Sequence, residues 1–107
     1  MVIIETPIFS KQLRTTLSDD EYRQLQQSLV RQPDAGQIIP GSGGLRKLRW
    51  SAEGRGKRGG VRLIYYWFTA QAHLLLLFIY PKNVQDDLTP NQLRQLKKIV
   101  EEEYHEG

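Results

Sequence analysis

The strongest constraint on the fold is a pair of strand-like runs in the second half of the chain, at 61–69 and 74–80. The first run is rich in β-branched and aromatic residues, which favour extended backbone. The second consists only of leucine, isoleucine, phenylalanine and tyrosine. The short segment between the runs predicts a β-hairpin. Because both alternating faces of the second run are apolar, we expect it to be an inner strand of a sheet that is covered on both sides.

The remaining segments predict the layers that cover this sheet. Residues 2–5 include β-branched residues and predict a short strand. Residues 6–17 and 18–32 predict two consecutive helices, the first with a Thr-Pro start and the second with a Ser-x-x-Glu capping box. A half-exposed strand is expected at 45–51 and a last helix at 89–104. This order predicts an α+β fold with a small antiparallel sheet, an N-terminal helical hairpin packed on one face, and a C-terminal helix.

Length and composition limit the classes of protein to consider. A chain of 107 residues has room for one domain, so we expect 1–107 to fold as one unit. It contains no cysteine, which excludes disulfides, a thiolate nucleophile and cysteine-ligated zinc. The densest apolar run covers seven residues, far fewer than the roughly 20 needed to cross a bilayer. We therefore expect a cytoplasmic protein with no membrane partner.

Positive charge is concentrated in one segment of the chain. Residues 41–62 contain seven basic residues and a single acid, Glu53, whereas the flanking segments carry a slight excess of acids. Such a patch attracts phosphate polymers and predicts salt-dependent binding. A solvated face that only keeps the protein soluble is the alternative. The basic residues expected to contact a nucleic-acid backbone are Arg46, Lys47, Arg49, Arg55 and Arg58.

The hairpin brings a second group of cations to one end of the sheet. Alternation along its first strand puts Arg62 on the face opposite its two apolar neighbours. If the two strands pair, the start of one lies beside the end of the other, so that Arg62 meets Lys82. The glycines around Lys57 leave that residue free to approach a phosphate closely. The alternative for Lys82 is a solvated residue that simply follows a strand end.

The usual acid–base and metal-binding groups of nucleases are sparse in this chain. Cleavage by a histidine pair is not supported, because His73 is expected in a turn and His105 near the terminus. A metal-dependent nuclease would need clustered carboxylates. The acidic pair near the predicted cations is Asp86-Asp87, which we interpret as acids leading into a helix N-terminus. We therefore expect metal-free chemistry driven by cations, with no cofactor.

Aromatic residues beside the cations are candidates for stacking on bases. Contiguous aromatic residues in a strand alternate between its faces, so about half of them belong to the core. We assign Trp50 and Trp67 to the core. Tyr66 shares a strand face with Arg62, and Tyr80 is close to Lys82 in the sequence. These two tyrosines are therefore the better candidates for RNA binding.

Four segments with basic residues or proline lie between residues 43 and 92. They are Gly-Gly-Leu-Arg-Lys-Leu-Arg at 43–49, Gly-Lys-Arg-Gly-Gly-Val-Arg-Leu-Ile-Tyr-Tyr at 56–66, Ile-Tyr-Pro-Lys-Asn at 79–83 and Leu-Thr-Pro-Asn-Gln at 88–92. Together they resemble the HigB branch of the RelE toxin superfamily of bacterial toxin–antitoxin modules. The resemblance implies a RelE-like fold and an mRNA interferase, an endoribonuclease that cuts mRNA, usually in the ribosomal A site. In the implied reaction a ribose 2′-hydroxyl attacks the adjacent phosphate, and the mRNA is cleaved without a metal.

The resemblance also implies roles for individual residues and for partners. Arg62 matches the strand arginine that stabilises charge on the phosphorane, Lys82 the lysine after the last strand, and Lys57 the basic loop. RelE itself has a second arginine and a C-terminal tyrosine where this chain has Asn83 and Thr89. The general base is therefore left open, with Lys57 or Lys82 as candidates. The implied partners are mRNA, the ribosome and a cognate antitoxin, often one with a helix-turn-helix DNA-binding domain.

Two other functions need the same cationic surface. One is a non-catalytic RNA- or ribosome-binding module, which requires the patch and the aromatic residues but no aligned nucleophile. The other is a protein-interaction domain whose basic face meets an acidic partner. Both stay open on the sequence alone.

Overall fold

Five strands form one mixed sheet with helices on both faces, in a computed structural model that describes residues 1–51 and 60–104. The spatial order of the strands is β1-β5-β4-β3-β2. The strands are β1 (Val2–Glu5), β2 (Gln37–Ile38), β3 (Arg46–Trp50), β4 (Val61–Phe68) and β5 (His73–Pro81). The helices are α1 (Pro7–Thr16), α2 (Asp19–Arg31) and α3 (Pro90–Glu103).

The strands β2 to β5 pair antiparallel, whereas β1 runs parallel to β5. The α+β fold with its helical hairpin and C-terminal helix is therefore confirmed. The parallel edge strand adds a detail that the sequence did not indicate. The long connection between β1 and β5, which includes the helical hairpin, permits this parallel pairing. β5 pairs on both of its edges, as expected for its wholly apolar sequence.

Each helix begins with the cap that its sequence predicts. The Thr6 side chain accepts a hydrogen bond from the backbone N–H of Phe9. Ser18 and Thr89 each form a complete capping box with the residue three positions later. These caps satisfy backbone N–H groups that would otherwise have no partner, which sets where each helix starts.

Two cores lie on opposite faces of the sheet, and we call these faces the hairpin face and the α3 face. On the hairpin face, α1 and α2 cover β4 and β5, and Trp50 and Trp67 pack against this core, as predicted. On the α3 face, Leu96 of α3 packs on the sheet. The buried residues of the hairpin-face core are Phe9, Leu17, Leu25, Leu29, Val61, Leu63, Tyr65, Leu74, Leu76 and Ile79. Those of the α3-face core are Leu45, Ile64, Leu75, Leu77, Tyr80 and Leu96.

A β-bulge interrupts the pairing of β4 with β5. Ile64 pairs with Phe78 and Tyr65 pairs with Leu76, which leaves Leu77 as an extra residue in β5. Leu77 and Phe78 consequently both pack in the α3-face core. The alternation of β5 resumes after the bulge with its phase reversed, so Ile79 faces the helical hairpin and Tyr80 faces α3.

The connection between β4 and β5 is a short 3₁₀ turn at Thr69–Gln71, closed by Ala72 with a left-handed φ of 53°. His73, expected in this turn, is instead the first residue of β5, and its Nδ1 lies 3.3 Å from the hydroxyl of Tyr104. Within residues 1–51 and 60–104, no helix has the length and apolar content needed to span a membrane.

Candidate active site

Three cations lie together on the α3 face of the sheet. Arg49 of β3 is the direct cross-strand partner of Arg62 of β4. Side chains of directly opposed residues start about 5 Å apart, measured between Cβ atoms. Lys47 lies two positions before Arg49 and shares its face because side chains alternate along a strand. The antiparallel pairing thus gathers Lys47, Arg49 and Arg62, all singled out in the sequence.

Arg62 is held by two contacts of its guanidinium. Its side chain is only 13% exposed, and its Nη2 lies 3.3 Å from Oδ1 of Asp86. Its Nη1 donates to the backbone carbonyl of Val61 at 3.4 Å. Among the described residues its Nε is buried and has no hydrogen-bond partner. The guanidinium is therefore fixed in position, and the Nη2 group that pairs with the exposed Asp86 is the donor that an anionic ligand can use.

Two adjacent acids form ion pairs with two of these cations. Asp86 pairs with Arg62, and the neighbouring Asp87 pairs with Lys47 through a short contact. The hydrogen bond and charge of Lys47 hold the pKa of Asp87 below its usual value, although that side chain is largely exposed. We interpreted these acids as helix N-terminal residues, but the structure instead shows them in ion pairs with the cationic face. The loop between β5 and α3 brings them there.

Tyr80 anchors this loop from beneath. Its ring is 4% exposed, and its hydroxyl donates to the backbone carbonyl of Asp86 at 3.0 Å. Burial and the negative charge of Asp87 raise the pKa of Tyr80 to about 12. The phenol therefore stays protonated at neutral pH and supports the position of Asp86. Base stacking by Tyr80 remains a prediction.

Lys82 reaches the same face from the end of β5. Its backbone N–H donates to the carbonyl of Gly60 at 3.1 Å, which confirms that the two strand ends of the hairpin lie side by side. A Cβ atom added to Gly60 would lie 2.9 Å from Cδ of Lys82, so the lysine stem passes directly over the glycine. By alternation Lys82 is a diagonal neighbour of Arg62, and such neighbours are about 7 Å apart.

Two of the predicted contact residues lie away from this cluster. Arg46 points to the hairpin face, where its Nη1 donates to the carbonyls of Asp34 at 3.3 Å and Gly36 at 2.7 Å. Tyr66 is on the α3 face but packs against Tyr104 of the C-terminal turn, with ring centroids 5.7 Å apart. Both residues make structural contacts here, and their binding of RNA stays a prediction.

Three further candidates, Arg55, Lys57 and Arg58, lie outside the described residues. Their segment joins β3 to β4, so the chain enters and leaves it next to Trp50 and Val61, which pair across these strands. The roles assigned to these three residues remain predictions.

A groove of about 360 Å³ adjoins the cations on the side of α3. Lys47, Arg49 and Asp87 form its polar wall. We call it the β2–α3 groove, and its other lining residues are Gln37, Ile38, Ile39, Pro40, Leu88 and Leu93. Sequence reasoning missed this groove because its walls come from separate segments. The one available signal was the apolar pair Ile38-Ile39 beside a glycine-rich connector.

This arrangement is suited to binding a phosphate and to stabilising negative charge that develops on it. Arg49 and Arg62 lie side by side, and Lys82 flanks them diagonally. Preorganised cations of this kind lower barriers in which charge accumulates on a phosphoryl group. The residues described by the structure contain no group of three or more histidine, aspartate or glutamate side chains placed to hold a metal ion.

Comparisons with known proteins give the family and support the fold. The model of the RelE toxin of the RelE/RelB toxin–antitoxin system matches residues 1–105. Among solved structures, a double arginine-to-alanine mutant of E. coli toxin RelE in the free state has a TM-score of 0.61 and 15% sequence identity. That match covers 92% of this chain and 96% of the E. coli chain, and it shows a shared fold. Membership of the HigB branch stays a prediction. Because the family match spans almost the whole sequence, the chain belongs to the RelE family of toxins from toxin–antitoxin systems.

Proposed function

We propose that this toxin is a ribosome-dependent endoribonuclease that cuts mRNA in the A site without a metal. The observation that carries the proposal is the direct pairing of Arg49 with Arg62 on one sheet face, with Lys82 beside them. Phosphate binding alone would be served by scattered exposed lysines. An arginine whose side chain is only 13% exposed is better suited to stabilising a transition state, because the packing around it limits reorganisation during the reaction.

The reaction would be an internal transfer at phosphorus. The 2′-hydroxyl oxygen forms a bond to the adjacent phosphorus and loses its proton to a base, while the bond from phosphorus to the 5′-oxygen breaks. The products are a 2′,3′-cyclic phosphate and a 5′-hydroxyl, to which an acid delivers a proton. Arg62 would stabilise the pentacovalent intermediate, and Lys82 or Lys57 would exchange the protons.

The ion pair between Arg62 and Asp86 fits this proposal if the scissile phosphate replaces the carboxylate. The side chain of Asp86 is 64% exposed, so it can turn into solvent at little cost when RNA arrives. The Nη2 group of Arg62 that Asp86 releases would then donate to a phosphate oxygen.

The partners in this proposal are mRNA, the ribosome and a cognate antitoxin, and the site of action is the cytoplasm. The description of the matching family, a toxin of a toxin–antitoxin system, supports the antitoxin. A helix-turn-helix DNA-binding domain on that antitoxin is part of the proposal. The basic α3 face is the surface that such a partner would have to cover in order to block RNA.

The test is cleavage of translated and untranslated mRNA, with 5′ ends mapped, by wild type and by the variants Arg62→Ala and Lys82→Ala. Wild type should cut translated message only, and each variant should lose at least about a hundredfold in rate while staying folded. Matched controls are Arg14→Ala and Lys11→Ala, exposed residues of α1 on the hairpin side, which should cut like wild type.

The two alternatives predict different results in this experiment. A non-catalytic RNA-binding module would give no new 5′ ends with wild type, and both site variants would show weaker binding only. A protein-interaction domain would show neither cleavage nor salt-dependent RNA binding. Cleavage that survives both substitutions would refute the assignment to these residues.

A further inference from the structure

The β2–α3 groove has a mixed lining that an apolar ligand would not satisfy. Ile38 is 56% exposed at its rim, and Lys47 and Asp87 form an ion pair across its polar wall. Covering that pair with a purely apolar group would remove its water without offering hydrogen bonds in return. The groove volume of about 360 Å³ lies within the range of about 300–1,000 Å³ that is usual for small-ligand sites.

The groove is continuous with the phosphate-binding cations. Arg49 lines the groove and is also the cross-strand partner of Arg62. A nucleotide whose phosphate lies on these two arginines can therefore place its base in the groove. A flat ring with polar edges would contact the apolar walls with its faces and the polar wall with its edge.

Asp87 provides hydrogen-bond acceptors on the polar wall. A carboxylate only accepts hydrogen bonds, and the lowered pKa of Asp87 keeps it ionised down to acidic pH. Its hydrogen bond with Lys47 uses Oδ1, and its side chain is 76% exposed. The Watson–Crick edge of guanine offers two adjacent donors to such a carboxylate, and its carbonyl oxygen can accept from the ammonium of Lys47.

We propose that the β2–α3 groove binds the base next to the scissile phosphate and that Asp87 makes it select guanine. This inference rests on the proposed function, because it places the phosphate on the arginines of the same site. A hydrogen-bonding site of this kind discriminates between bases by about tenfold for each good bidentate contact.

The first test measures binding without cleavage. Guanosine, adenosine, cytidine and uridine 3′-monophosphates are titrated into the full chain, and the methyl resonances of Ile38, Ile39 and Leu93 are followed by NMR. Guanosine 3′-monophosphate should shift all three and bind about tenfold more tightly than the uridine compound. Groove methyl groups that respond to none of the four nucleotides, as expected for a groove that receives an apolar peptide side chain, would overturn the inference.

Two variants and a control separate selection from general affinity. Asp87→Asn should lose the preference for guanine while binding the other nucleotides at least as well, because it removes a negative charge. Ile38→Ala should weaken binding of all four nucleotides and keep their order. Asp20→Asn changes an acid of α2 that is 82% exposed, and this variant should behave like wild type. A guanine preference that survives Asp87→Asn would refute the role of Asp87.

Cleavage mapping distinguishes failure of this inference from failure of the proposed function. If the chain cuts translated mRNA with the same base preference in wild type and Asp87→Asn, the inference fails and the endoribonuclease stands. If guanosine 3′-monophosphate binds in the groove with the expected preference and no mRNA is cut, the selective base site is supported and the endoribonuclease is refuted.

Discussion

The substitution Asp86→Asn should strengthen RNA binding, because Asp86 holds Arg62 where a phosphate would bind. In the structure the carboxylate lies 3.3 Å from Nη2 of Arg62. Asparagine keeps an oxygen that can accept the same hydrogen bond, so the loop should stay in place. Loss of an ion pair whose acid is 64% exposed should cost less than about 1 kcal/mol of stability.

The expected gain in affinity follows from Coulomb's law. A phosphate that takes the place of the carboxylate on Arg62 would lie about 6 Å from the carboxylate once that group has turned into solvent, and at an effective dielectric constant of about 60 their repulsion is about 0.9 kcal/mol. Salt reduces this value, so removing the charge should tighten binding by about two- to fivefold at physiological ionic strength.

Fluorescence anisotropy with a short single-stranded RNA that lacks reactive 2′-hydroxyls measures the dissociation constant without cleavage. The measurement is repeated at several salt concentrations. Asp20→Asn removes the same charge from α2, on the opposite side of the sheet, and should change the dissociation constant less than Asp86→Asn does. Unchanged or weaker binding by a folded Asp86→Asn protein would refute the view that Asp86 competes with the phosphate.

Two further predictions concern stability. The hydroxyl of Tyr65 donates to one backbone carbonyl of the 33–36 turn at 2.6 Å and accepts from one N–H at 2.9 Å, so Tyr65→Phe should lower the free energy of unfolding by about 2 kcal/mol. Urea unfolding checks this value, and a loss below about 0.5 kcal/mol would contradict it. Lys47 lowers the pKa of Asp87 below its usual 3.8. The ion pair therefore stabilises the fold above about pH 4 and loses this effect as pH falls through the lowered pKa. The difference in urea midpoint between wild type and Asp87→Asn should shrink on acidification, and a difference independent of pH would exclude this linkage.

Much of the fold could be predicted because its signals are local. The caps at Thr6, Ser18 and Thr89 depend on residues within three positions of one another, and the structure contains each of them. The hairpin of β4 and β5 is also local, and its pairing correctly placed Lys82 beside the start of β4. Alternation along β4 correctly put Arg62 on the face opposite its apolar neighbours.

The features that were missed depend on contacts between distant segments. The pairing of Val2–Glu5 with β5 joins strands separated by most of the chain, so neither its direction nor its register has a local signal. The sequence alone associates Asp86 and Asp87 with the N-terminus of the helix that follows them. Their cationic partners lie on two other strands, so the ion pairs have no local signal. Arg46 was grouped with its basic neighbours, although alternation from Lys47 already indicated the opposite face.

The β-bulge at Leu77 determines which side chains at the end of β5 face the candidate site. If the same residues paired without the bulge, β5 would keep its original phase to its end, and Ile79 and Pro81 would face the arginines in place of Tyr80 and Lys82. Deletion of Leu77 would instead remove the bulge and leave Ile79 and Tyr80 on their present faces, because Phe78 would then follow Leu76 directly. Substitutions can alter this site one side chain at a time, whereas loss of the bulge with all residues retained would exchange the whole contribution of the strand.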